Sequence, residues 1–337
     1  MQSQTQIEVK NQHEEPIKFS GFQKWKSRYK LYIPSLSASI LLLILGQILS
    51  PGFASLSNIG NILSMATVLA IATIGQTIII ISGKEGIDLS VGAMMSMGAL
   101  LGAEFSQGMN DKIWLAILVL VVIGSVFGFI NAAAIQWLDI PPLVMTLGMT
   151  SVVNGFALAY TKGQPTGGAP SLLIQLGTGH LASIPLMVIL GMILIVIVEV
   201  LLRKTRYGRN LYLSGSNHKA ALIAGIQVNK TVFLTYIIAG IAGTLGGLIL
   251  LGFTGTAQLE MGKDYSLLSI AAVVIGGTAL TGGEGKFSGS ALGSIVLVLL
   301  TSVLIALKMP AGIRELIQGV ILLLILMMYS RAPKLRQ

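Results

Sequence analysis

The sequence predicts an all-α membrane protein with about ten transmembrane helices and both termini in the cytoplasm. Of its 337 residues, 53% are hydrophobic and only 10% are charged, and the mean hydropathy is +0.82. A water-soluble domain carries roughly 25% charged residues, so this chain has too few charges to cover a water-facing surface. The apolar runs are continuous rather than alternating, which favours spanning helices over a transmembrane β-barrel.

Ten apolar runs, separated by polar, glycine-rich or proline-containing breaks, are the predicted spans. A spanning helix needs about 20 apolar residues, and the third and eighth runs are short by that measure. Prolines lie at or near the ends of the runs, where a missing backbone N–H costs least. Eight or nine spans are the alternative to ten. The predicted spans are 33–50, 59–81, 89–105, 113–137, 141–160, 181–202, 231–252, 266–281, 288–308 and 311–330.

Lysine and arginine orient these spans, because both are enriched in cytoplasmic loops. They cluster in residues 1–30, in the loop 203–230, which contains no Asp or Glu, and in residues 331–337. With ten spans these segments share one side, and together with Lys84 and Lys286 in two shorter loops they give seventeen basic residues inside against five outside. We therefore predict two cytoplasmic tails, 1–30 and 331–337, around a membrane domain, 31–330, whose cytoplasmic loop is 203–230. The net charge of +9 then reflects orientation rather than nucleic-acid binding.

Residue types exclude several kinds of chemistry. The chain has no cysteine, and its three histidines lack metal-ligand spacing. The Gly-Lys pairs at Gly83-Lys84 and Gly285-Lys286 do not fit the G-x-x-x-x-G-K-[ST] phosphate-binding pattern. We therefore expect no enzyme activity, metal or cofactor in this chain. If the protein uses ATP, a separate subunit must bind the ATP and Mg.

Three acidic residues lie where apolar runs are interrupted, and a charge beside lipid is by default a functional hypothesis. Glu85 and Asp88 stand between the second and third runs, and Glu284 stands between the eighth and ninth. We expect Asp88 to cap the third helix, with a substrate or proton role as the alternative. Glu284 is expected to pair with Lys286 at a helix break. The two breaks have similar sequences, GKEG and GGEG, a weak sign of an internal repeat.

The fifth run has a polar face. Thr146, Thr150 and Asn154 recur every four residues, so they line one side of a helix. Two hydroxyls and an amide in a row are suited to passing a polyhydroxylated solute through successive weak hydrogen bonds. We therefore predict that these residues line a translocation path. The alternative is that they bond backbone carbonyls and neighbouring helices.

The basic loop 203–230 is much too long for a simple turn between two helices. Within it, residues 217–224 are helix-forming and apolar on one side. A short helix presented to the cytoplasm is suited to docking against a soluble partner. The predicted docking residues are Ser214, Asn217, His218, Lys219, Ala220 and Gly225.

Four segments of the chain resemble the permease subunits of the ribose/xylose/galactoside class of bacterial ABC importers. The resemblance covers nearly all of the chain after residue 45 and is carried by segments in the same order as in that family. These segments are EGIDLSVGAMMSMGA (85–99), IPPLVMTLGMTSVVNGFALAYTKGQP (140–165), TRYGRNLYLSGSNHKAALIAGI (205–226) and IAAVVIGGTALTGGEGKFSGSALG (270–293).

The resemblance implies a fold similar to that of the vitamin B12 importer, with ten helices per subunit, in the cytoplasmic membrane of a bacterium. It also implies three kinds of partner: a second permease copy in a homodimer or heterodimer, a cytoplasmic nucleotide-binding ATPase, and an extracytoplasmic sugar-binding protein docked on the outer loops, notably 161–180. The implied cargo is ribose or another pentose or hexose, carried by alternating access. Nucleosides or autoinducer-2 are the alternative solutes, and an ion-coupled secondary transporter is the rival class.

Two departures from the family concern charge. The family's coupling segment usually carries glutamates where this chain has His218 and Lys219, and the family often has an arginine where Glu284 stands. These reversals imply either a differently charged groove on the ATPase or a dispensable ion pair.

Overall fold

The computed structural model describes residues 32–84, 86–164 and 167–330. Glu85 and the two predicted cytoplasmic tails lie outside the described residues. Within the described part, thirteen α-helices are joined by a single-turn 3₁₀ helix (Asn110–Lys112) and a short hairpin, β1 (His180–Leu181) and β2 (Ile184–Pro185). The helices are α1 (Ile33–Leu49), α2 (Leu56–Ile81), α3 (Val91–Ser106), α4 (Ile113–Trp137), α5 (Pro142–Thr161), α6 (Ser171–Thr178), α7 (Leu186–Lys204), α8 (Arg206–Ser216), α9 (His218–Ile223), α10 (Val228–Thr254), α11 (Tyr265–Ile275), α12 (Phe287–Ala306) and α13 (Ala311–Ser330).

Each of the ten predicted apolar runs coincides with a helix, namely α1 to α5, α7 and α10 to α13. Six described helices are long and apolar enough to cross a membrane, by length and composition alone: α2, α4 together with its preceding 3₁₀ turn, α5, α7, α10 and α12. Helices α1, α3 and α11 are apolar but shorter. The protein is therefore a helical bundle of the polytopic membrane type.

The helix ends follow local sequence chemistry. Ser55 precedes α2, and its hydroxyl accepts a hydrogen bond from the amide of Asn58, which satisfies a first-turn N–H that has no partner in the helix. Pro142 opens α5, a position at which a missing N–H costs nothing. Gly255 follows α10 with φ of 81°, a left-handed conformation that glycine adopts without steric cost.

Helices α2, α3 and α10 form the centre of the bundle. Of the 18 residues in the apolar stretch of α2, 94% are buried, whereas in the matching stretches of α5 and α7 only 22% are buried. The outer helices expose large apolar side chains, among them Trp114 of α4 and Ile197 of α7. An apolar exterior around a buried centre suits a bundle surrounded by lipid.

Small residues allow close approach between the central helices. A Cβ atom added to Gly128 of α4 would lie 2.3 Å from the carbonyl oxygen of Tyr236 in α10, and one added to Gly247 of α10 would lie 2.0 Å from that of Met95 in α3. Neither contact leaves room for a side chain. Lipid supplies no hydrophobic force between helices, so backbone contact of this kind is a principal means of packing them.

Two non-helical breaks interrupt the bundle and meet each other. Break A is residues 82–90, between α2 and α3, and break B is residues 276–286, between α11 and α12. A Cβ atom on Gly282 of break B would lie 2.5 Å from the Cα of Gly83 in break A. The two similar glycine-rich sequences are therefore packed against one another.

Candidate translocation path and coupling segment

Break A is held in place by side chains from two other helices. The amide of Leu89 donates to the Thr146 hydroxyl at 3.1 Å, and the Thr150 hydroxyl donates to the Leu89 carbonyl at 3.1 Å. Ser266 of α11 donates to the same carbonyl at 2.8 Å. Non-helical backbone at membrane depth needs such partners, because lipid can supply none.

Asp88 is buried in break A, and its carboxylate accepts hydrogen bonds from the amide (2.7 Å) and the hydroxyl (2.6 Å) of Ser90. Because α3 begins at Val91 with Ser90 as its N-cap residue, the expected capping role needs correction: the carboxylate binds the N-cap residue rather than the first-turn amides. Asn131 of α4 donates to the Ser90 hydroxyl at 3.3 Å. Asp88 thus belongs to a buried polar cluster at the start of α3.

The three predicted path residues do not share one environment. Thr146 is fully buried, and Thr150 also donates to the Thr146 carbonyl at 2.9 Å. Both hydroxyls are therefore engaged with backbone, which matches the alternative interpretation of this face. Asn154 is the member of the set that borders open space.

Asn154 lines an open groove of about 340 Å³ between α3, α5 and the segment that precedes α11. The groove combines a few polar groups with apolar walls, as expected of a path that binds its solute weakly. On the neighbouring face of α5, a Cβ atom added to Gly148 or Gly155 would meet no described atom within 4 Å apart from the adjoining residues and backbone of α5 itself. The groove residues are Ser96, Leu100, Asn154, Gly155, Ala157, Leu158, Leu259 and Glu260.

The basic loop contains two consecutive helices, and together we call residues 203–230 the coupling segment. The α8 helix starts at Thr205, whose hydroxyl accepts from the amide of Gly208 at 3.1 Å. The α9 helix starts at Asn217, whose side chain accepts from the amide of Ala220 at 3.0 Å. Gly225 follows α9 with φ of 78°. The predicted short helix is confirmed, and Asn217 and Gly225 delimit it.

The other predicted docking residues differ in exposure. Lys219 and Ala220 are exposed, whereas Ser214 is buried and its hydroxyl finds no hydrogen-bond partner within the described part of the chain. His218 lines a small cavity together with Lys84, and burial, followed by the charge of Lys84, lowers the pKa of the imidazole. The outer side of α9 also exposes apolar Leu222 and Ile223.

The expected pair between Glu284 and Lys286 is wrong. Among the described residues, Glu284 is exposed and has no ion pair, and the Lys286 ammonium lies 5.0 Å from the ring centroid of Tyr32. An aromatic face attracts a cation and competes with an exposed carboxylate. Glu284 does not hold break B through this pair.

Two further features lie beside the coupling segment, and the sequence reasoning missed the first of them. The first is α8, which the apolar runs did not predict because it is short and strongly amphipathic; Thr205 followed by Tyr207 and Leu211 was the available signal. The second is Glu199 near the end of α7, for which the sequence predicts either a position at the membrane interface or a contact with the basic cluster at Arg203. The contact with Arg203 is confirmed. The Glu199 carboxylate pairs with Arg203 at 2.5 Å, and it also accepts from the amide (3.0 Å) and the hydroxyl (2.7 Å) of Ser288 in the first turn of α12.

The apolar exterior of the bundle and its six described helices of spanning length define a multi-pass membrane protein. A family model described as "Branched-chain amino acid transport system / permease component" matches residues 58–326. The chain therefore belongs to this family of permease components.

Named relatives extend over nearly the whole chain. The ribose import permease protein RbsC of Bacillus subtilis is 36% identical over 286 residues, which are 84% of this chain and 88% of the relative. RbsC of Escherichia coli K12 is 30% identical over 309 residues, 90% of this chain and 95% of the relative. The autoinducer 2 import system permease protein LsrC of Shigella flexneri is 31% identical over 300 residues, 89% and 86% of the two chains. No solved structure matches.

Proposed function

We propose that this chain is the permease subunit of an ATP-driven importer of a small polyhydroxylated solute, with ribose or another monosaccharide as the leading cargo. The observation that carries the proposal is the similarity to ribose import permeases over 84–90% of the chain. That similarity extends through both breaks and the coupling segment. ATP and Mg would be bound by a separate ATPase and not by this chain.

In this proposal the chain crosses the membrane ten times, with both ends in the cytoplasm, in an arrangement similar to the vitamin B12 importer. The ten helices that match the apolar runs support the count. The basic coupling segment supports the orientation, since lysine and arginine are enriched in cytoplasmic loops. Helix α6 would then lie on the opposite, outer side.

The solute path would run between two permease copies along the open side of α5. Asn154 borders a groove there, and the small residues Gly148 and Gly155 leave room beside it. Thr146 and Thr150 would support this wall by fixing break A. Asp88 would shape the same break. Glu284 would be exposed at the cytoplasmic side of break B.

The coupling segment would receive the ATPase. Helix α9 exposes Lys219 beside apolar Leu222 and Ile223, a combination suited to a groove with an apolar floor and acidic rim. A solute-loaded binding protein would dock at the other end of the bundle, on the outer loops around 161–180. Because the binding protein supplies affinity, the weakly polar groove near Asn154 is sufficient for passage.

The test is reconstitution of the permease, its genomically adjacent ATPase and its binding protein in proteoliposomes. We expect co-purification of the ATPase, stimulation of ATP hydrolysis by loaded binding protein, and ATP-dependent uptake of radiolabelled ribose. Proton- or sodium-driven uptake by this chain alone would overturn the proposal in favour of a secondary transporter.

Two other solutes have specific support and enter the same assay. Autoinducer-2 is the cargo named for LsrC, and branched-chain amino acids are named in the family description. The extent to which unlabelled autoinducer-2 or leucine inhibits the uptake of labelled ribose ranks the three solutes by their preference as cargo. Coupled ATP hydrolysis that responds only to leucine would retain the importer and reject the polyhydroxylated cargo.

A further inference from the structure

Helix α8 rests directly on the contact between the two breaks. A Cβ atom on Gly215 would lie 1.9 Å from the carbonyl oxygen of Ile81, at the end of α2, and 2.7 Å from the amide nitrogen of Gly283 in break B. That amide donates to the same Ile81 carbonyl at 2.9 Å. The backbone of α8 therefore presses against the hydrogen bond that joins α2 to break B.

The surrounding contacts are also between backbones. A Cβ atom on Gly83 would lie 3.0 Å from the Cα of Gly215, and one on Gly282 would lie 3.1 Å from the Gly215 carbonyl oxygen. Both Gly83 and Gly282 have positive φ values, 80° and 85°. Side chains can change rotamer to absorb a displacement, but closely packed backbone transmits it. A movement of α8 must therefore displace both breaks.

Tyr212 lies about one helical turn before Gly215 on α8 and connects α8 to break B by a hydrogen bond. Its hydroxyl donates to the carbonyl oxygen of Gly285 in break B at 2.8 Å. Burial, together with the nearby charge of Glu199, raises the pKa of Tyr212 to about 12. The hydroxyl therefore keeps its proton at neutral pH and remains a donor to break B.

The end of α7 holds the far side of the same break. Glu199 accepts from the amide and hydroxyl of Ser288, which lies in the first turn of α12. Arg203, the first residue of the coupling segment, pairs with the same Glu199 just before α8 begins. Glu199 therefore connects the start of α12 to the start of the coupling segment.

We propose that α8 is a lever, in which Tyr212 and Gly215 are positioning residues that make both breaks move with the coupling segment. Movement of the ATPase would thereby reach α3 through break A and α12 through break B. This inference rests on the proposed function, because it assigns the ATPase to the coupling segment. It adds Tyr212 and Gly215 as the residues through which a movement of the coupling segment is passed on to the two breaks.

A matched pair of tyrosines tests the lever. Tyr207 lies on the same helix, and its hydroxyl bonds the Thr235 hydroxyl of α10 at 2.9 Å rather than a break. In the reconstituted complex, Tyr212→Phe is expected to lower ribose imported per ATP hydrolysed by about five-fold, the effect of losing one buried hydrogen bond. Tyr207→Phe is expected to leave the ratio unchanged. Equal ratios in the two variants would overturn the proposal.

A matched pair of glycines tests the backbone contact. A Cβ atom on Gly208 would lie 2.0 Å from the Leu202 carbonyl oxygen, so Gly208→Ala crowds α8 as severely as Gly215→Ala does, but against α7 instead of the breaks. We expect Gly215→Ala to hydrolyse ATP without matching uptake, while Gly208→Ala keeps the wild-type ratio in the fraction that assembles. An unchanged ratio in assembled Gly215→Ala complex would reject the lever.

A distance measurement tests the lever without reference to cargo. The chain has no cysteine, so spin labels can be attached at Leu213→Cys on α8 and Glu284→Cys in break B, both of which are exposed positions. The distance between labels is expected to stay constant when ATP and vanadate are added, because α8 and break B move together. It is expected to broaden on the same addition in the Tyr212→Phe background. A changing distance in the unmodified background would overturn the proposal.

The two proposals fail in different ways. If the wild-type complex shows no coupled ATP hydrolysis, the proposed function fails. If the wild-type complex is coupled and Tyr212→Phe behaves like Tyr207→Phe, the importer stands and only the lever fails.

Discussion

Asp88 is an acidic side chain at the start of an apolar helix, and two roles for it make opposite predictions. As a structural acceptor it needs an oxygen facing Ser90, which an amide also provides; as a proton carrier it needs an ionisable group. We expect Asp88→Asn to keep uptake within about two-fold of wild type, and Asp88→Ala to lose about 1–3 kcal/mol of stability because the buried amide of Ser90 loses its partner.

Uptake and the thermal midpoint of the detergent-solubilised complex, measured for both Asp88 variants, separate the two roles. Loss of uptake in a fully stable Asp88→Asn complex would favour the proton role and the secondary transporter.

Asn154 is the predicted path residue that faces open space, and its amide is the group that a passing hydroxyl would meet. Asn154→Leu fills similar volume without hydrogen-bonding atoms, so we expect uptake to fall by about five-fold while the complex still assembles. Val152 is exposed on roughly the opposite side of α5, which makes Val152→Leu the matched control. Initial uptake rates per assembled complex provide the measurement, and equal rates in the two variants would remove Asn154 from the path.

The polar face of α5 shows which features of a site the spacing of residues can predict and which it cannot. Spacing alone placed Thr146, Thr150 and Asn154 on one side of a helix, as the structure has them. It could not show that break A, more than fifty residues earlier in the chain, packs against that side and engages the two hydroxyls. Contacts between segments distant in sequence depend on how the helices pack, and a single sequence carries no direct record of that packing.

At the scale of elements, the apolar runs located the long helices but misjudged their limits where glycine intervenes. The eighth run was predicted to extend to residue 281, whereas α11 ends at Ile275. Gly276 and Gly277 follow, and Gly277 has φ of 83°, so the chain turns while its composition is still apolar. Hydropathy measures the preference for lipid and not the path of the backbone. The same limitation hid α8, whose one-sided apolar pattern is too short to register as a run.

The coupling segment makes an element-scale prediction about partner binding. Lys219 is exposed on α9 beside apolar Ile223, so Lys219→Glu reverses a charge at the centre of the proposed docking surface. We expect it to weaken ATPase association by about ten-fold, since like charges across an interface are strongly disfavoured. Lys308→Glu, an exposed site just after α12 on the proposed outer side, is the control and should bind normally. Pull-down of the ATPase at several salt concentrations measures both, and an unchanged Lys219→Glu complex would argue against docking on α9.

For the whole molecule, the short helices decide how many times the chain crosses the membrane. With 16 residues, α3 spans about 24 Å at 1.5 Å per residue, less than the roughly 30 Å of the hydrocarbon core. The 11 residues of α11 span only about 17 Å. Both helices adjoin a break, and extended backbone covers about 3.3 Å per residue. In the proposed topology, residues of breaks A and B would complete each crossing, with protein groups satisfying the exposed backbone. The hydrogen bonds from α5 and α11 to break A supply such partners.

The proposed count of ten crossings can be measured directly, because the chain contains no cysteine to remove. Single cysteines at Ala54, Asp111 and Gln258, which are exposed, are expected to react with a membrane-impermeant maleimide in intact spheroplasts. Those at Leu138 and Leu213, also exposed, should react only after the membrane is permeabilised. If α3 does not cross, Ala54 and Asp111 must lie on opposite sides of the membrane, since α2 still crosses between them. Opposite labelling of these two sites would reduce the number of crossings and show that α3 does not span the membrane. Identical labelling requires α2 and α3 to cross as a pair. Break A, which contains Asp88, then lies at the cytoplasmic end of this pair, where α8 can reach it.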